Sequence, residues 1–240
     1  MTLGNIHVVW RGLLGNRLFQ LAGGLVLAIE SGARLRCLPI TGFPLVEFSP
    51  PCPQPGTPET KLVEPCFPKE VFVEQLRNGL DVVVNGHHEQ YRHYKDHKAA
   101  IRTILQFKGL PSYSPEPHDL VVHLRLTGAN ATETYDLQAL REHIEAWRDN
   151  RIIVVTDCPS HPFIHEYLRK PYITVVRDTK EADFATLLKA KRIVLTPSTF
   201  GWWSGFLSYA EEIYFPFKQG VWKRPYIDLF VDDEPRYIKY

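Results

Sequence analysis

The chemistry in this sequence sits where apolar runs stop. Leu120-Val-Val-His-Leu-Arg ends a run of strand-forming residues in His123 and Arg125. Period-two alternation points both side chains to one side of a strand. A guanidinium there has two uses: a bidentate clamp on a diphosphate, or a surface ion pair. A second apolar run ends in Thr196-Pro-Ser-Thr-Phe-Gly201 and opens a helix. The first amide groups of a helix have no internal partner, so with the helix dipole they bind phosphate. Alternatively Ser198 or Thr199 is only the N-cap. A third run ends in Thr156-Asp157. Asp157 suits a ribose or a base edge, or else caps the helix that follows.

Other polar segments are less specific. Arg11-Gly-Leu-Leu-Gly-Asn16 joins a strand to a helix, but it has neither the GxGxxG nor the GxxxxGK[ST] pattern. It is a tight turn that also lets a ligand approach the backbone. The stretch from His87 to His97 is rich in histidine, and His93 and His97 share a helical face. It does not form the HExxH zinc pattern, so no metal site is expected. Trp202-Trp203 reads as core. Asn130-Ala-Thr fits a glycosylation sequon without a secretion signal beside it.

These residues need a scaffold that brings strand ends together. Residues 6–10 read as a buried strand, 17–30 as a helix ended by Ser31-Gly32, and 34–38 as a strand. Nine of the 19 prolines fall in residues 39–68, which reads as an ordered irregular loop. Residues 71–78 suggest a helix, 81–85 a strand and 91–107 a helix with Ile101, Ile104 and Leu105 on one face. Residues 110–117 read as a linker. Beyond it, strands at 120–124, 151–155, 172–176, 192–195 and 213–215 alternate with helices at 137–148, 162–168, 182–190 and 199–210. The strands are continuous apolar runs, as in a parallel sheet covered on both faces. In such a sheet ligands bind outside the carboxyl ends of the strands. That rule places His123, Arg125, Asp157 and Ser198 along one edge.

Composition sets the limits. At 240 residues the chain makes one large domain or two small ones, and buries about 70% of its unfolded surface. Lys and Arg total 28 against 27 Asp and Glu, a net charge of +1, which gives no general hold on nucleic acid or an anionic membrane. Charged residues at 23% and hydrophobic ones at 44% exclude dominant disorder. The four cysteines (Cys37, Cys52, Cys66, Cys158) form no CxxC pair. A Cys52–Cys66 bridge is conceivable, but thiols in a reducing compartment are the default. Neither a signal peptide nor a membrane anchor is apparent, so a soluble, cytoplasmic protein is expected.

Four segments together resemble one family, the α-1,2-fucosyltransferases of glycosyltransferase family 11, over nearly the whole chain. Gly12-Leu-Leu-Gly-Asn-Arg-Leu-Phe-Gln-Leu-Ala22 is similar to that family's GGLGNQLFQYA opening. Residues 84–94, which include His88 and Gln90, resemble its GYWQSEKYF region. Val121-Val-His-Leu-Arg125 resembles its VHVRRGD strand. Asp183-Phe184, the stretch 189–194 and Thr196-Pro-Ser-Thr-Phe-Gly-Trp-Trp203 resemble its DL…CKHFIIANSSFSWW.

The resemblance implies a GT-B α/β fold: two Rossmann-like halves, residues 1–114 for the acceptor and 115–240 for the donor, with the active site between them. It implies an inverting, metal-independent transfer of fucose from GDP-fucose to a glycan hydroxyl. No cofactor is implied beyond that substrate, and the partners are donor and glycan acceptor. By matched position, His123 lies on the guanine-ribose side and Arg125 at the β-phosphate. Ser198, Thr199 and Phe200 hold diphosphate and base, and Asp183 contacts the base. Gly15 and Asn16 approach the donor from the N-terminal half, with Gln20, His88 and Gln90 on the acceptor side. The family's RRGD continues here as Arg125-Leu-Thr-Gly128, without the second arginine and the acid. Glu133, in the loop after that strand, is the candidate general base by likeness to the related α-1,6-fucosyltransferases. Two other readings keep the fold: a different nucleotide-sugar donor, or a protein that binds nucleotide or glycan without turnover.

Overall fold

The computed structural model describes residues 2–44, 55–57, 59–60, 68–111, 113–127, 136–216, 223–224 and 227–240. They form two compact units. The first holds residues up to Phe107 together with Lys223–Phe230, and the second holds Lys108–Trp222 and Val231–Tyr240.

The first unit begins with β1 (Asn5–Val8) and α1 (Leu14–Ser31), then β2 (Arg34–Arg36), β3 (Glu59–Thr60), α2 (Lys69–Arg77) and β4 (Val82–Val84). Its four strands are all parallel, in the order β2-β1-β4-β3. The chain moves to one side of β1 with β2 and to the other with β4, so the order switches between β1 and β4. Leu18, Leu21, Ala22, Leu25 and Val26 of α1 are buried, as are Ile6, Val8 and β4. The helix ends where Gly32 takes the left-handed conformation and its N–H reaches Ala28 C=O at 2.9 Å.

The expected helix at 91–107 is shorter. Tyr91–His93 and Lys95–His97 are 3-10 turns, and α3 covers only Lys98–Ile104. The cause is Tyr94, which is fully buried and donates its hydroxyl to His88 C=O at 2.5 Å. That anchor ties the turn to the preceding loop and interrupts the helix.

The second unit carries β5 (Leu120–Leu124), α4 (Leu137–Glu145), β6 (Ile152–Thr156), α5 (Pro162–Tyr167), β7 (Ile173–Val176), α6 (Lys180–Lys189), β8 (Arg192–Val194), α7 (Thr199–Leu207) and β9 (Glu212–Phe215). The chain then contributes an antiparallel pair to the first unit, β10 (Lys223–Arg224) with β11 (Ile227–Asp228). It returns for β12 (Tyr237–Lys239), which pairs in parallel with β9. The sequence showed no strand beyond 213–215, so β12 is an addition. The sheet order β12-β9-β8-β5-β6-β7 is the doubly wound Rossmann order. Its direction reverses between β5 and β8.

Alternation along β5 divides the core of this unit. Leu120, Val122, Leu124 and Leu126 pack with Leu140, Ile144, Phe163 and Ile164 of α4 and α5. Val121 and His123 face the other way. Tyr113, in the stretch that reads as a linker, is held by the second unit. Tyr113 N–H lies 3.4 Å from Thr186 Oγ1, and its hydroxyl accepts from Arg151 Nη1 at 2.8 Å. Cys52, Cys66 and the Asn130 sequon lie outside the described residues; Cys37 and Cys158 are unbridged. Among the described residues, no helix is long and apolar enough to cross a membrane.

Candidate active site

The switch point of the second unit is where the polar residues gather. β5 and β8 are neighbours, and the chain leaves both at the same edge of the sheet. Thr196, fully buried two residues past β8, links the two exits. Its Oγ1 accepts Arg125 N–H at 3.0 Å and lies 3.4 Å from His123 Nδ1. Two residues on, Ser198 takes an extended conformation and caps α7, its hydroxyl accepting Phe200 N–H at 3.2 Å. The cap is therefore real, and it leaves the phosphate role open, because one hydroxyl satisfies only one of the first amides. The first turn of α7 carries no acidic side chain to offset its positive end.

His123 is buried, and its ring stacks on Phe200 with centroids 5.7 Å apart at 29°. Phe200 in turn meets Phe184 of α6 edge-on at 5.2 Å. Gly201 closes this stack from behind. A Cβ there would stand 2.7 Å from His123 Nδ1. Burial pushes the His123 imidazole down to about 4, with the Arg125 charge acting the same way and Asp157 partly opposing. At neutral pH the ring is uncharged.

Arg125 is partly exposed, and its Nε is held twice, by Thr127 C=O at 2.8 Å and by Asp157 Oδ2 at 3.0 Å. The ion pair weighed against a phosphate clamp is thus present. Asp157 does not cap the next helix. His161 does, accepting Phe163 N–H at 3.2 Å, and Asp157 turns back to β5. Asp183, in the first turn of α6, is nearly buried and accepts Asp178 N–H at 3.1 Å. Burial raises its carboxyl to about 6, with the nearby Asp178 charge adding to the rise. Glu133 lies outside the described residues.

The first unit gathers its own candidates at its own switch point. Val9 N–H continues from β1 to Val84 C=O at 3.1 Å. Gln20 of α1 is fully buried and accepts Arg11 N–H at 2.9 Å, which ties the turn between β1 and α1 to the helix. Asn16 lies under Gly12, and Gly15 is buried beside it. His88 follows β4 in a left-handed conformation, φ 50°. Its ring stands so near α1 that a Cβ on Gly23 would be 3.2 Å from it. Gln90 is buried and bridges to Asp228 of β11. The histidine-rich segment is thus built into the fold. Among the described residues, no three His, Cys, Asp or Glu side chains are grouped to hold a metal ion.

Thr196 and Gly201 complete this site, and the sequence did not assign them roles in it; Asp157 stands on the expected edge but holds the end of β5. The signal was position: a polar residue immediately after an apolar strand, and a glycine in the first turn of a helix.

No protein-family model matches the chain, and no curated protein is detectably similar in sequence. Solved structures are similar in shape. Fucosyltransferase NodZ from Bradyrhizobium superposes with a TM-score of 0.57 at 14% identity, over 88% of this chain and 96% of NodZ. A mutant of Arabidopsis thaliana FUT1 in complex with GDP gives 0.60 at 12% identity, over 94% and 74%. The chain has the α/β, GT-B fold of glycosyltransferases. The iron-containing dodecameric glycosyltransferase TibC from enterotoxigenic E. coli shares it too, with 0.54 at 10% identity over 99% and 65%. At these identities the likeness is one of fold, and it does not single out the α-1,2 family.

Proposed function

We propose that this protein is a glycosyltransferase that moves a sugar, fucose, from GDP-fucose to a hydroxyl of a glycan. One observation carries the reading. The topological switch point of a Rossmann-ordered sheet brings Arg125 and the amino end of α7 to one edge, tied together through Thr196. That pairing of a guanidinium with a helix N-terminus suits a leaving diphosphate. Two of the similar solved structures, NodZ and FUT1, were determined with GDP, and NodZ also after soaking with GDP-fucose, which supports the choice of donor.

In this reading the acceptor oxygen attacks the anomeric carbon from the face opposite the diphosphate. The bond from that carbon to the β-phosphate oxygen breaks, and its electron pair leaves with GDP. Arg125 and the α7 amides take up the charge that develops there. The acceptor proton passes to a carboxylate, for which Glu133 is the candidate. The configuration inverts, and no metal takes part. Neutral His123, backed by Thr196 and stacked on Phe200, shapes the ribose side, and Asp183 and Thr199 border the base and the diphosphate. Gln20, His88 and Gln90 of the first unit are the acceptor-side candidates, and Gly15 and Asn16 are that unit's candidates for the donor.

Calorimetry with GDP, UDP and ADP, followed by a donor panel read as released nucleoside diphosphate, tests the proposal. Preference for GDP and turnover of GDP-fucose are expected. Arg125→Ala should lower the rate by about 10² or more. Activity confined to UDP or dTDP sugars, or transfer by Arg125→Ala at the parental rate, refutes it.

A further inference from the structure

Asp157 makes more contacts than an ion pair needs. It follows β6, the neighbour of β5 on the side away from β8. Its Oδ1 accepts Leu126 N–H at 2.8 Å. Its Oδ2 accepts Thr127 N–H at 3.2 Å and the Thr127 hydroxyl, and pairs with Arg125 Nε at 3.0 Å. One carboxylate thus holds three consecutive residues where β5 ends. It takes no part in starting α5, which His161 caps.

The consequence for Arg125 is directional. A guanidinium is planar, and fixing Nε fixes the plane and the heading of the whole fork. Thr127 C=O holds the same Nε at 2.8 Å, and Thr127 is itself placed by Asp157. Thr196 fixes the Arg125 backbone from the β8 side. The arginine is therefore braced from both neighbouring strands. Of these two braces only the one from β6 carries charge and reaches the guanidinium, where it acts together with Thr127 C=O.

We infer that Asp157 is a positioning residue: it acts through Arg125 to aim the fork at the diphosphate of the donor. The inference rests on the reading of Arg125 as the diphosphate clamp. It specifies what Asp157 does for that clamp and what it does not do. On this inference Asp157 acts only through Arg125, so its removal is felt only by ligands that carry the diphosphate.

That selectivity is the test. GDP and guanosine are titrated into the parental protein, Asp157→Asn, Asp157→Glu and Arg125→Ala. The amide of Asp157→Asn keeps one acceptor for Leu126 N–H but no charge for Arg125. GDP affinity should fall about tenfold in Asp157→Asn, as for loss of one charge-assisted contact. Guanosine affinity should stay within about twofold, since a ligand without phosphate does not meet the fork. Asp157→Glu, which keeps the charge, should recover part of the loss. In an Arg125→Ala background, Asp157→Asn should change GDP affinity no further.

The Arg125 Nε–H resonance, read by NMR without ligand, reports the aim directly and should lose its protection from exchange in Asp157→Asn. Equal losses for GDP and guanosine overturn the inference, because Asp157 would then be a general structural support. Additive losses with Arg125→Ala overturn it as well. Should Asp157→Asn not fold, Asp157→Glu against the parent carries the same GDP-to-guanosine comparison. A parental protein that binds no GDP, while its Arg125 resonance still responds to Asp157, refutes the nucleotide reading and leaves the brace as a structural contact.

Discussion

Gly201→Ala isolates the steric logic of the site in one methyl group. The added Cβ would meet His123 Nδ1 at 2.7 Å, Cε1 at 3.1 Å and Cγ at 3.3 Å. Those atoms belong to a buried ring held between Phe200 and Thr196, so the ring cannot simply turn aside. Overpacking of this kind costs about 1–3 kcal/mol. Against it stands a gain of about 1 kcal/mol, because alanine favours a helix interior over glycine. The net is a loss of roughly 1 kcal/mol, or about 2–4 °C in melting temperature for a chain of this length. GDP affinity should fall with it, since Phe200 and the start of α7 must shift. In a His123→Ala background the obstacle is gone and only the helix gain remains. The same substitution should then raise the melting temperature. Thermal melts of the four proteins in the cycle, with GDP calorimetry alongside, decide the matter. An equal rise in both backgrounds would refute the reasoning, because His123 would not be what excludes a side chain at 201.

Three further outcomes are expected. His123 is held near 4 in the fold against about 6.5 in an unfolded chain, so the unfolded state binds the extra proton between those values. Its contribution, at most roughly 3 kcal/mol, is complete above pH 6.5 and is lost as pH falls towards 4. Melts of His123→Phe across that range should show a weaker dependence on acid. Asp183 has the opposite sign: with its carboxyl raised to about 6, the folded state favours the protonated form, and stability declines as pH rises from 3.8 through 6. Asp183→Asn should melt higher than the parent at pH 8 while binding GDP more weakly. An unchanged melting temperature there refutes the assignment. Ser198→Ala removes the cap on α7 and should cost about 1 kcal/mol, read by denaturant titration.

What could be read from the sequence follows from burial. β5 and β6 are covered on both faces, and their Leu, Val and Ile residues announce them. The strand-end rule then points to His123, Arg125 and Ser198 without any detailed geometry. β12 could not be read in that way. Tyr237-Ile-Lys239 is an edge strand with two exposed residues, and only its pairing with β9 makes it regular. The break at Tyr94 was hidden because the helical period is intact there and a long-range hydroxyl bond overrides it. Asp157 looked like a cap because an acid shortly before a helix usually is one. The structure puts that duty on His161 and leaves the carboxylate to the adjacent strand.

The late hairpin β10–β11 makes both units discontinuous in the chain. During synthesis neither can be finished in order. The first unit waits for residues 223–230, and β9 stays an open edge until residues 237–239 arrive to cover it. Contacts of such long sequence separation form slowly. An expression fragment cut between Phe107 and Lys108 would lack part of the first unit and carry a stray hairpin on the second. Isolating the second unit is better done by removing residues 223–230 and splicing the flanks than by truncation.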